Sequence, residues 1–284
     1  YLGGPFGLSN VADAVLEGVV PSGNGDSWPH RLYFGQELEA DDLYGDGLCD
    51  LVVSAPASAA IPDYPGETGL IYLFHGNEID VLESTPFGIW TYFDPAYPGW
   101  PKGRLGSAFS TGDINGDGTI DLAIGDMNFI NSFVSIFSYD ALVATEFVEE
   151  PSTPAWRGNG RREFGTFTDI YDLDGDGLDE LLVGRGKRSV TEEASLSIYL
   201  GSQISSNWDI GHEVDYEDSD YMVMGPVDGD DFGRAVRALG DIDGDGVVDV
   251  AVFAGQDSTY AYKTGALHIM PWNDPEAIQV VEMP

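Results

Sequence analysis

Four short stretches of the sequence carry oxygen-bearing side chains and glycines at one repeated spacing. They span residues 42–50, 113–121, 172–180 and 241–249, and we call them loops one to four. Acids, or once an amide, stand at positions 1, 3, 5 and 9 in three of them, with glycines at positions 4 and 6 in all. Ca²⁺ prefers several oxygen ligands, and a backbone carbonyl at position 7 can add to the side chains. The spacing therefore predicts calcium-binding loops.

Loop one departs from this spacing at position 3, where Tyr44 stands in place of an acid. Because the site loses a charged ligand there, we expect loop one to bind Ca²⁺ most weakly or not at all. Cys49 occupies position 8 of the same loop, and we expect it to be a small buried thiol. Three calcium sites are thus expected, in loops two to four.

Two other kinds of acidic loop explain this spacing less well. An EF-hand needs a glutamate at position 12 and a helix after it, but here position 12 is apolar and lies in a short run typical of a buried strand. A plain Asp-Gly turn between strands explains one Asp-Gly pair but not acids converging in every copy. The residues at position 12 are Val53, Ile124, Val183 and Val252.

Each loop stands at the same place in a longer repeat. A Phe-Gly or Leu-Gly pair precedes it by eight or nine residues, at Phe34, Leu105, Phe164 and Phe232. An apolar strand, a corner of small residues and a further strand follow, and a fourth, weaker strand closes the unit. This order predicts one four-stranded sheet for each repeat. The third strands are expected at Leu70–Phe74, Phe133–Phe137, Leu196–Leu200 and Ala266–Met270.

The Phe-Gly pair, the Asp-rich loop, the apolar strand and the Gly-Ala-Pro-like corner, in this order, resemble the FG-GAP repeat of integrin α subunits and many bacterial extracellular proteins. The resemblance implies an all-β fold, a β-propeller of four-stranded antiparallel blades, with the Ca²⁺ loops between the first and second strands of each blade. Residues 1–284 would form one propeller or part of one. We expect a piece of a longer propeller or a compact ring of four or five blades. The repeats would cover about 1–29 (partial), 30–100, 101–158, 159–227 and 228–284.

The same resemblance assigns the metal ligands. The side-chain ligands would be Asp42, Asp46 and Asp50; Asp113, Asn115, Asp117 and Asp121; Asp172, Asp174, Asp176 and Glu180; and Asp241, Asp243, Asp245 and Asp249. The backbone carbonyls would come from Leu48, Thr119, Leu178 and Val247.

Composition restricts the partners and the location. A net charge of −37 predicts repulsion of nucleic acids and of anionic membrane surfaces. No apolar run has the length of a membrane span, and the single cysteine excludes an internal disulfide framework. The many acids suit a calcium-rich setting, and the lack of disulfides fits a large bacterial exported protein. We therefore expect an extracellular or cell-surface protein of bacterial source. A chain that starts at Tyr1 without a signal peptide is expected to be a mature form or a fragment.

The charged residues outside the loops form two groups. Six of the twelve bases fall between residues 157 and 188, on loops that a propeller would carry opposite its metal loops. They predict a surface for a protein, an anionic glycan or another copy of this chain, unless they only aid solubility. These bases are Arg157, Arg161, Arg162, Arg185, Lys187 and Arg188. An acidic group without metal spacing, expected to be solvated, contains Asp218, Asp220, Asp228, Asp230 and Asp231.

Motifs for catalysis are missing from the sequence. It contains no His-Glu-x-x-His, no Gly-x-Ser-x-Gly and no P-loop, and its four histidines are scattered. The tryptophans suit packing within blades. We therefore expect a non-catalytic module for adhesion, structure or ligand binding. The alternatives are a lectin or the propeller domain of a secreted polysaccharide-active enzyme.

Overall fold

The computed structural model describes residues 3–4, 7–8, 15–16, 33–56, 69–77, 81–82, 85–90, 104–126, 132–138, 154–160, 163–186, 194–208, 212–226, 230–255, 265–274, 277 and 279–281. Strands dominate this part of the chain. They are β1 (Gly3–Gly4), β2 (Gly7–Leu8), β3 (Leu38–Asp41), β4 (Asp50–Ala55), β5 (Leu70–Phe74), β6 (Gly76–Asn77), β7 (Val81–Leu82), β8 (Gly88–Trp90), β9 (Leu105–Gly112), β10 (Asp121–Asp126), β11 (Ser132–Phe137), β12 (Trp156–Gly160), β13 (Phe164–Tyr171), β14 (Glu180–Arg185), β15 (Ser195–Tyr199), β16 (His212–Asp215), β17 (Tyr221–Met224), β18 (Ala235–Gly240), β19 (Asp249–Ala254), β20 (Ala266–Pro271) and β21 (Gln279–Val281). Helix α1 spans Gly201–Ser206, and a 3₁₀ helix spans Tyr216–Asp218.

Four sheets each contain four antiparallel strands whose spatial order follows the chain. The first sheet is β3-β4-β5-β8, the second β9-β10-β11-β12, the third β13-β14-β15-β17 and the fourth β18-β19-β20-β21. The all-β prediction of one four-stranded antiparallel sheet per repeat is therefore confirmed. None of the helices among the described residues has the length and apolar character needed to cross a membrane.

The acid-rich loops connect the first strand of each sheet to the second. Loop one lies between β3 and β4, loop two between β9 and β10, loop three between β13 and β14, and loop four between β18 and β19. This is the position that the sequence predicted for them. One end of each of the four larger sheets therefore carries the same kind of acidic turn.

Successive sheets pack through apolar clusters. Strand β10 shows how one strand serves two of them: Leu122 and Ile124 pack toward the first sheet, whereas Ala123 between them packs toward the third. Side chains alternate between the two faces of a strand, so a central strand buried on both faces reads as a continuous apolar run. That explains why the second strands have uninterrupted apolar sequences rather than alternating ones.

The Phe-Gly pairs bring the start of a sheet against the sheet before it. Phe164 and Phe232 are fully buried, and the glycines that follow them, Gly165 and Gly233, have φ values of +72° and +81°. A Cβ added to Gly233 would overlap the carbonyl of Ser195 in the preceding sheet. Only glycine combines this left-handed backbone with so close an approach.

A fifth strand joins the second sheet from the sequence of the third repeat. Strand β16 runs parallel to β12, with Trp156 opposite His212 and Asn159 opposite Asp215. The Asn159 side-chain amide donates to Glu213 Oε2 at 3.1 Å, and Arg157 Nη1 lies 3.6 Å from Glu213 Oε1. The second and third repeats are therefore linked by a strand as well as by apolar packing.

The predicted partial repeat at 1–29 falls mostly outside the described residues. Within it, β1 and β2 pair as a two-stranded antiparallel sheet. Leu16 packs against an apolar cluster on the first sheet that includes Val53, Tyr72 and Phe74. Leu16 thus covers part of the face of the first sheet that points away from the second.

Candidate metal centres

The carboxylate at position 1 organises each loop by accepting backbone N–H groups. In loop four, Asp241 Oδ1 accepts from Gly244 at 2.6 Å and from Asp245 at 3.1 Å, while Oδ2 accepts from Gly246 at 2.9 Å. Equivalent bonds to position 6 recur at Asp42, Asp113 and Asp172. A short polar side chain that binds the backbone a few residues on stabilises a turn.

Position 5 plays a second, shorter-range part in every loop. Its carboxylate accepts the N–H of the residue at position 7, at 2.8 to 2.9 Å. The acceptors are Asp46, Asp117, Asp176 and Asp245, and the donors are Leu48, Thr119, Leu178 and Val247. Positions 5 and 7, both predicted to supply metal ligands, are therefore joined by a hydrogen bond in every loop.

All eight glycines at positions 4 and 6 have positive φ values, from +66° to +89°. Side chains rarely adopt this backbone conformation, so the two glycines are required for the turn itself. They are Gly45, Gly47, Gly116, Gly118, Gly175, Gly177, Gly244 and Gly246.

Position 9 holds a buried acid in each loop. In loops two to four this acid accepts the N–H of position 2: Ile114 donates to Asp121, Leu173 to Glu180 and Ile242 to Asp249. Because position 9 is also the first residue of the second strand, its carboxylate is fixed at the junction of loop and sheet. In loop one the N–H of Tyr44, at position 3, donates to Asp50 instead.

Burial makes the negatively charged form of two of these acids unfavourable unless a positive charge lies nearby. Burial, reinforced by the nearby Asp117 carboxylate, raises the pKa of Asp121 to about 8. Burial likewise raises the pKa of Glu180 to about 7. Among the described residues Asp121 Oδ1 has no hydrogen-bond partner, although it is buried. A cation beside Asp121 would compensate both its charge and its unpaired oxygen, so the donor set fits Ca²⁺.

Loops three and four each bring three carboxylates together. Asp172, Asp174 and Glu180 offer oxygens within 4.8 Å of one another, and Asp241, Asp243 and Asp249 do the same. In loop two, the position-3 residue Asn115 accepts the N–H of Asp117 at 2.8 Å. Carboxylate and amide oxygens clustered on this scale are the ligands that Ca²⁺ requires.

Loop one has a different neighbourhood. Tyr44 packs beside His75 with ring centroids 4.0 Å apart, and His75 stacks on Phe87 at 3.8 Å. Asp50, at position 9, contacts His75 Nδ1 at 3.2 Å and accepts the N–H of Gly76 at 3.0 Å. Its oxygens are therefore occupied by protein groups, in contrast to Asp121. The expectation that Cys49 is buried was wrong, because its position-8 side chain is exposed.

Two of the six bases predicted to bind a ligand are buried. Arg157 and Arg185 are each 4% exposed. The Arg157 guanidinium lies 3.6 Å above the Phe133 ring, and that of Arg185 lies 5.2 Å from the Tyr216 ring. Because both guanidinium groups are buried against aromatic rings, Arg157 and Arg185 do not form part of an exposed docking surface. The prediction that these two residues bind a ligand is therefore corrected. The other four, Arg161, Arg162, Lys187 and Arg188, lie outside the described residues.

The acidic group near the start of the fourth sheet also needs correction. Asp230 and Asp231 are buried rather than solvated. Asp230 accepts the N–H of Phe232 at 3.0 Å, and Asp231 pairs with Arg234 at 2.7 Å. These acids fix the entry into the Phe-Gly pair. Asp218 and Asp220 are exposed as expected, and Asp228 lies outside the described residues.

Sequence reasoning missed two further acids that contact neighbouring sheets. Asp169 on β13 pairs with Arg237 on β18 at 2.6 Å. Asp179, at position 8 of loop three, binds the backbone of Asp113 in loop two. Position 8 is apolar or a cysteine in the other three loops, and this departure was the available signal for Asp179.

Comparison with known proteins finds an FG-GAP repeat at residues 232–270, a segment that contains loop four. Over 157 residues the chain is 34% identical to integrin alpha-PS5 of Drosophila melanogaster, which covers 54% of this chain and 15% of that protein. Over 262 residues it is 23% identical to a phosphatidylinositol-glycan-specific phospholipase D of Dictyostelium discoideum. This match covers 85% of this chain and 27% of that protein. A rhamnogalacturonan lyase of Bacillus licheniformis superposes with a TM-score of 0.45 at 12% identity, over 86% of this chain and 48% of that one.

The chain spans only 15% and 27% of the length of the two curated relatives. Both relatives come from eukaryotes, so they give no support to the expected bacterial source.

Proposed function

We propose, from the membership of this chain in the FG-GAP repeat family, that it is a β-propeller module whose loops bind Ca²⁺. Calcium holds the acidic ends of the sheets in their folded shape. The module acts without catalysis, in adhesion, in structure or in binding a ligand. We place it outside the cell or at the cell surface.

The unpaired, buried Asp121 Oδ1 is the observation that carries the calcium proposal. A buried polar atom without a partner has a substantial free-energy cost, which a bound cation removes. The neighbouring Asp113 and Asp117 repel the Asp121 carboxylate in the absence of a cation. Loops three and four support the proposal in a different way, because each brings three carboxylates within 4.8 Å of one another.

The proposed extracellular setting leads to an expected affinity and to candidate ligands. Calcium sites in extracellular modules have dissociation constants of about 10⁻⁴ to 10⁻³ M. Such sites fill only where calcium is abundant. Integrin alpha-PS5, which resembles more than half of this chain, is the basis for proposing a protein ligand. An anionic glycan or a second copy of the chain are the other ligands considered, and no nucleic acid is expected at a net charge of −37.

Thermal unfolding with and without Ca²⁺ tests the proposal. A ligand that binds only the folded state raises its stability by mass action, so excess chelator should lower the melting temperature substantially. Calorimetric titration of the chelated protein should then give about three sites. Mg²⁺ serves as a control, because it demands a stricter geometry and should restore less stability. Identical melting curves in chelator and in calcium would contradict the proposal.

A second candidate function is a module within a secreted enzyme. Its support is the similarity over 85% of the chain to a protein named phosphatidylinositol-glycan-specific phospholipase D. A glycan array and hydrolysis assays on phospholipid and polysaccharide substrates separate the candidates. Turnover by this chain would favour the enzyme, and glycan binding without turnover would favour a lectin.

A further inference from the structure

One acid in loop three is left unexplained by the metal-binding pattern. Asp179 stands at position 8, where the other loops have Cys49, Ile120 and Val248. It lies between Leu178, whose carbonyl is a proposed ligand, and Glu180, the buried acid of position 9. A carboxylate at this place adds negative charge to a loop that already has four acids, so its presence needs a reason of its own.

Asp179 holds the first residue of the neighbouring loop by two hydrogen bonds. Its Oδ2 accepts the N–H of Asp113 at 2.7 Å, and its own N–H donates to the Asp113 carbonyl at 3.2 Å. Asp113 is the position-1 residue whose carboxylate organises loop two. Loop three therefore fixes the backbone from which the main ligand of loop two extends.

Two more contacts run from the third repeat to loop two. A Cβ added to Gly116 would overlap the Leu178 side chain, so these residues pack in direct contact. Ser205 on helix α1 donates from its hydroxyl to the Asn115 carbonyl at 3.1 Å. Helix α1 begins at Gly201, whose N–H binds Glu180 Oε1 at 3.1 Å. Positions 1, 3 and 4 of loop two thus rest on groups that are attached to loop three.

We propose that loops two and three bind Ca²⁺ as a coupled pair, with Asp179 as the positioning residue that links them. This inference rests on the proposed calcium-binding function. An ion in loop three fixes the Leu178 carbonyl and the Glu180 carboxylate, and therefore fixes Asp179 between them. Loop two is then ordered before its own ion arrives, which lowers the entropy cost of binding. Linkage makes the effect reciprocal, so calcium in loop two strengthens binding in loop three by the same factor.

Loop four provides the internal comparison. Its hydrogen bonds stay within its own repeat, and no hydrogen bond joins residues 172–180 to residues 241–249 in the described chain. Loops three and four are therefore expected to bind independently. A general loss of stability would weaken calcium binding in all loops alike. Coupling through Asp179 would change calcium binding in loops two and three alone.

The test follows calcium binding at each loop separately by NMR of protein labelled with ¹⁵N-glycine. The amide signals of Gly118, Gly177 and Gly246 report loops two, three and four, because each N–H binds its own position-1 carboxylate. Inactivating loop three with Asp176→Ala should weaken calcium binding at Gly118 by about fivefold or more, and leave Gly246 unchanged. In an Asp179→Ala background the same change should affect Gly118 much less, because the carboxylate bond to the Asp113 N–H is lost.

Further variants separate positioning from folding. Asp174→Ala repeats the inactivation of loop three at a second ligand. Asp179→Asn keeps an oxygen that can accept the Asp113 N–H, so it should restore much of the coupling that Asp179→Ala removes. Val248→Ala is the matched control at position 8 of loop four and should leave the coupling intact.

The outcomes distinguish this inference from the calcium proposal. A response of all three glycine signals to calcium, without any effect of Asp176→Ala and Asp174→Ala on Gly118, would overturn the coupling alone. Coupling of undiminished size in Asp179→Ala would overturn the role of Asp179. If no glycine signal responds to calcium, both the proposed function and the coupling fail.

Discussion

The acids of each loop divide into two kinds that act differently. The carboxylate at position 1 accepts hydrogen bonds from N–H groups of the turn, as Asp241 shows, and so defines the shape of the loop. The acid at position 9 is buried, and Asp121 keeps one oxygen unpaired. We therefore expect the turn hydrogen bonds to define the shape of the loop. The cation keeps the loop in that shape by compensating the charges of acids that otherwise repel one another.

The position-5 acids should differ in importance between loops. Asp46→Ala in loop one should lower the melting temperature in calcium less than Asp117→Ala, Asp176→Ala or Asp245→Ala. The reason is that loop one lacks an acid at position 3, and its Asp50 is paired with His75. All four variants lose the same hydrogen bond to position 7, so the comparison isolates the contribution of the metal. Finding Asp46→Ala the most damaging of the four would reverse this ranking.

A second prediction at the residue scale uses two glycines at position 4. Gly116 and Gly175 have nearly equal φ values, +75° and +77°, so alanine is strained equally at both. A Cβ at Gly175 would meet nothing within 4 Å, whereas one at Gly116 would overlap Leu178. Gly116→Ala should therefore be more destabilising than Gly175→Ala by about 1 kcal/mol, the lower end of the usual cost of overpacking, because only the end of the Leu178 side chain has to move.

Chemical denaturation of the two proteins in chelator measures that difference without any contribution from the metal. Equal destabilisation of Gly116→Ala and Gly175→Ala would mean that loops two and three do not press on each other.

The sequence predicts where most strands lie along the chain, but not which strands from different repeats pair with each other. The second strands, such as β10 and β14, follow from short apolar runs after each loop, and the loops from acids at fixed spacing. Strand β16 did not follow, because its parallel pairing with β12 depends on a neighbouring sheet that the local sequence does not contain. Asp179 was missed for the same reason, since its partner Asp113 lies 66 residues away. Local periodicity specifies elements, and long-range contacts decide which of them meet.

The pair between β13 and β18 gives a prediction with a pH dependence. Arg237 contacts Asp169 at 2.6 Å, and burial raises the pKa of Asp169 even so. Arg237→Ala should raise that pKa further and cost about 1–3 kcal/mol at neutral pH, because a buried carboxylate loses its partner. A carboxyl pKa that is higher in the folded state makes the free energy of unfolding fall as pH rises. The deficit of Arg237→Ala should therefore grow as pH rises above the ordinary pKa range of a carboxyl group.

Glu37 and Glu39 also face this guanidinium, and burial raises the pKa of both. They reinforce the same trend with pH. An Asp169→Asn background supplies the control, since Arg237→Ala should cost much less there. A deficit that is the same in both backgrounds, or that shrinks as pH rises, would contradict this explanation.

For the whole molecule, charge is the dominant quantity. At a net charge of −37, the chain without calcium carries acids that repel one another at the loop ends of all four sheets. Added NaCl screens this repulsion, so the melting temperature in chelator should rise with ionic strength. In saturating calcium the same salt series should have a weaker effect, because bound ions have already neutralised part of the charge. A parallel response in both conditions would show that the repulsion lies elsewhere.

The parallel strand β16 has a mechanical consequence. Because it leaves the third repeat to pair with β12, tension applied at the two chain ends loads the β12–β16 ladder in shear, where several hydrogen bonds must break together. The second and third repeats should then resist extension as one unit. The first and fourth repeats have no strand shared with a neighbour among the described residues, so each should unfold separately. A pulling trace would show one long rupture step between shorter ones.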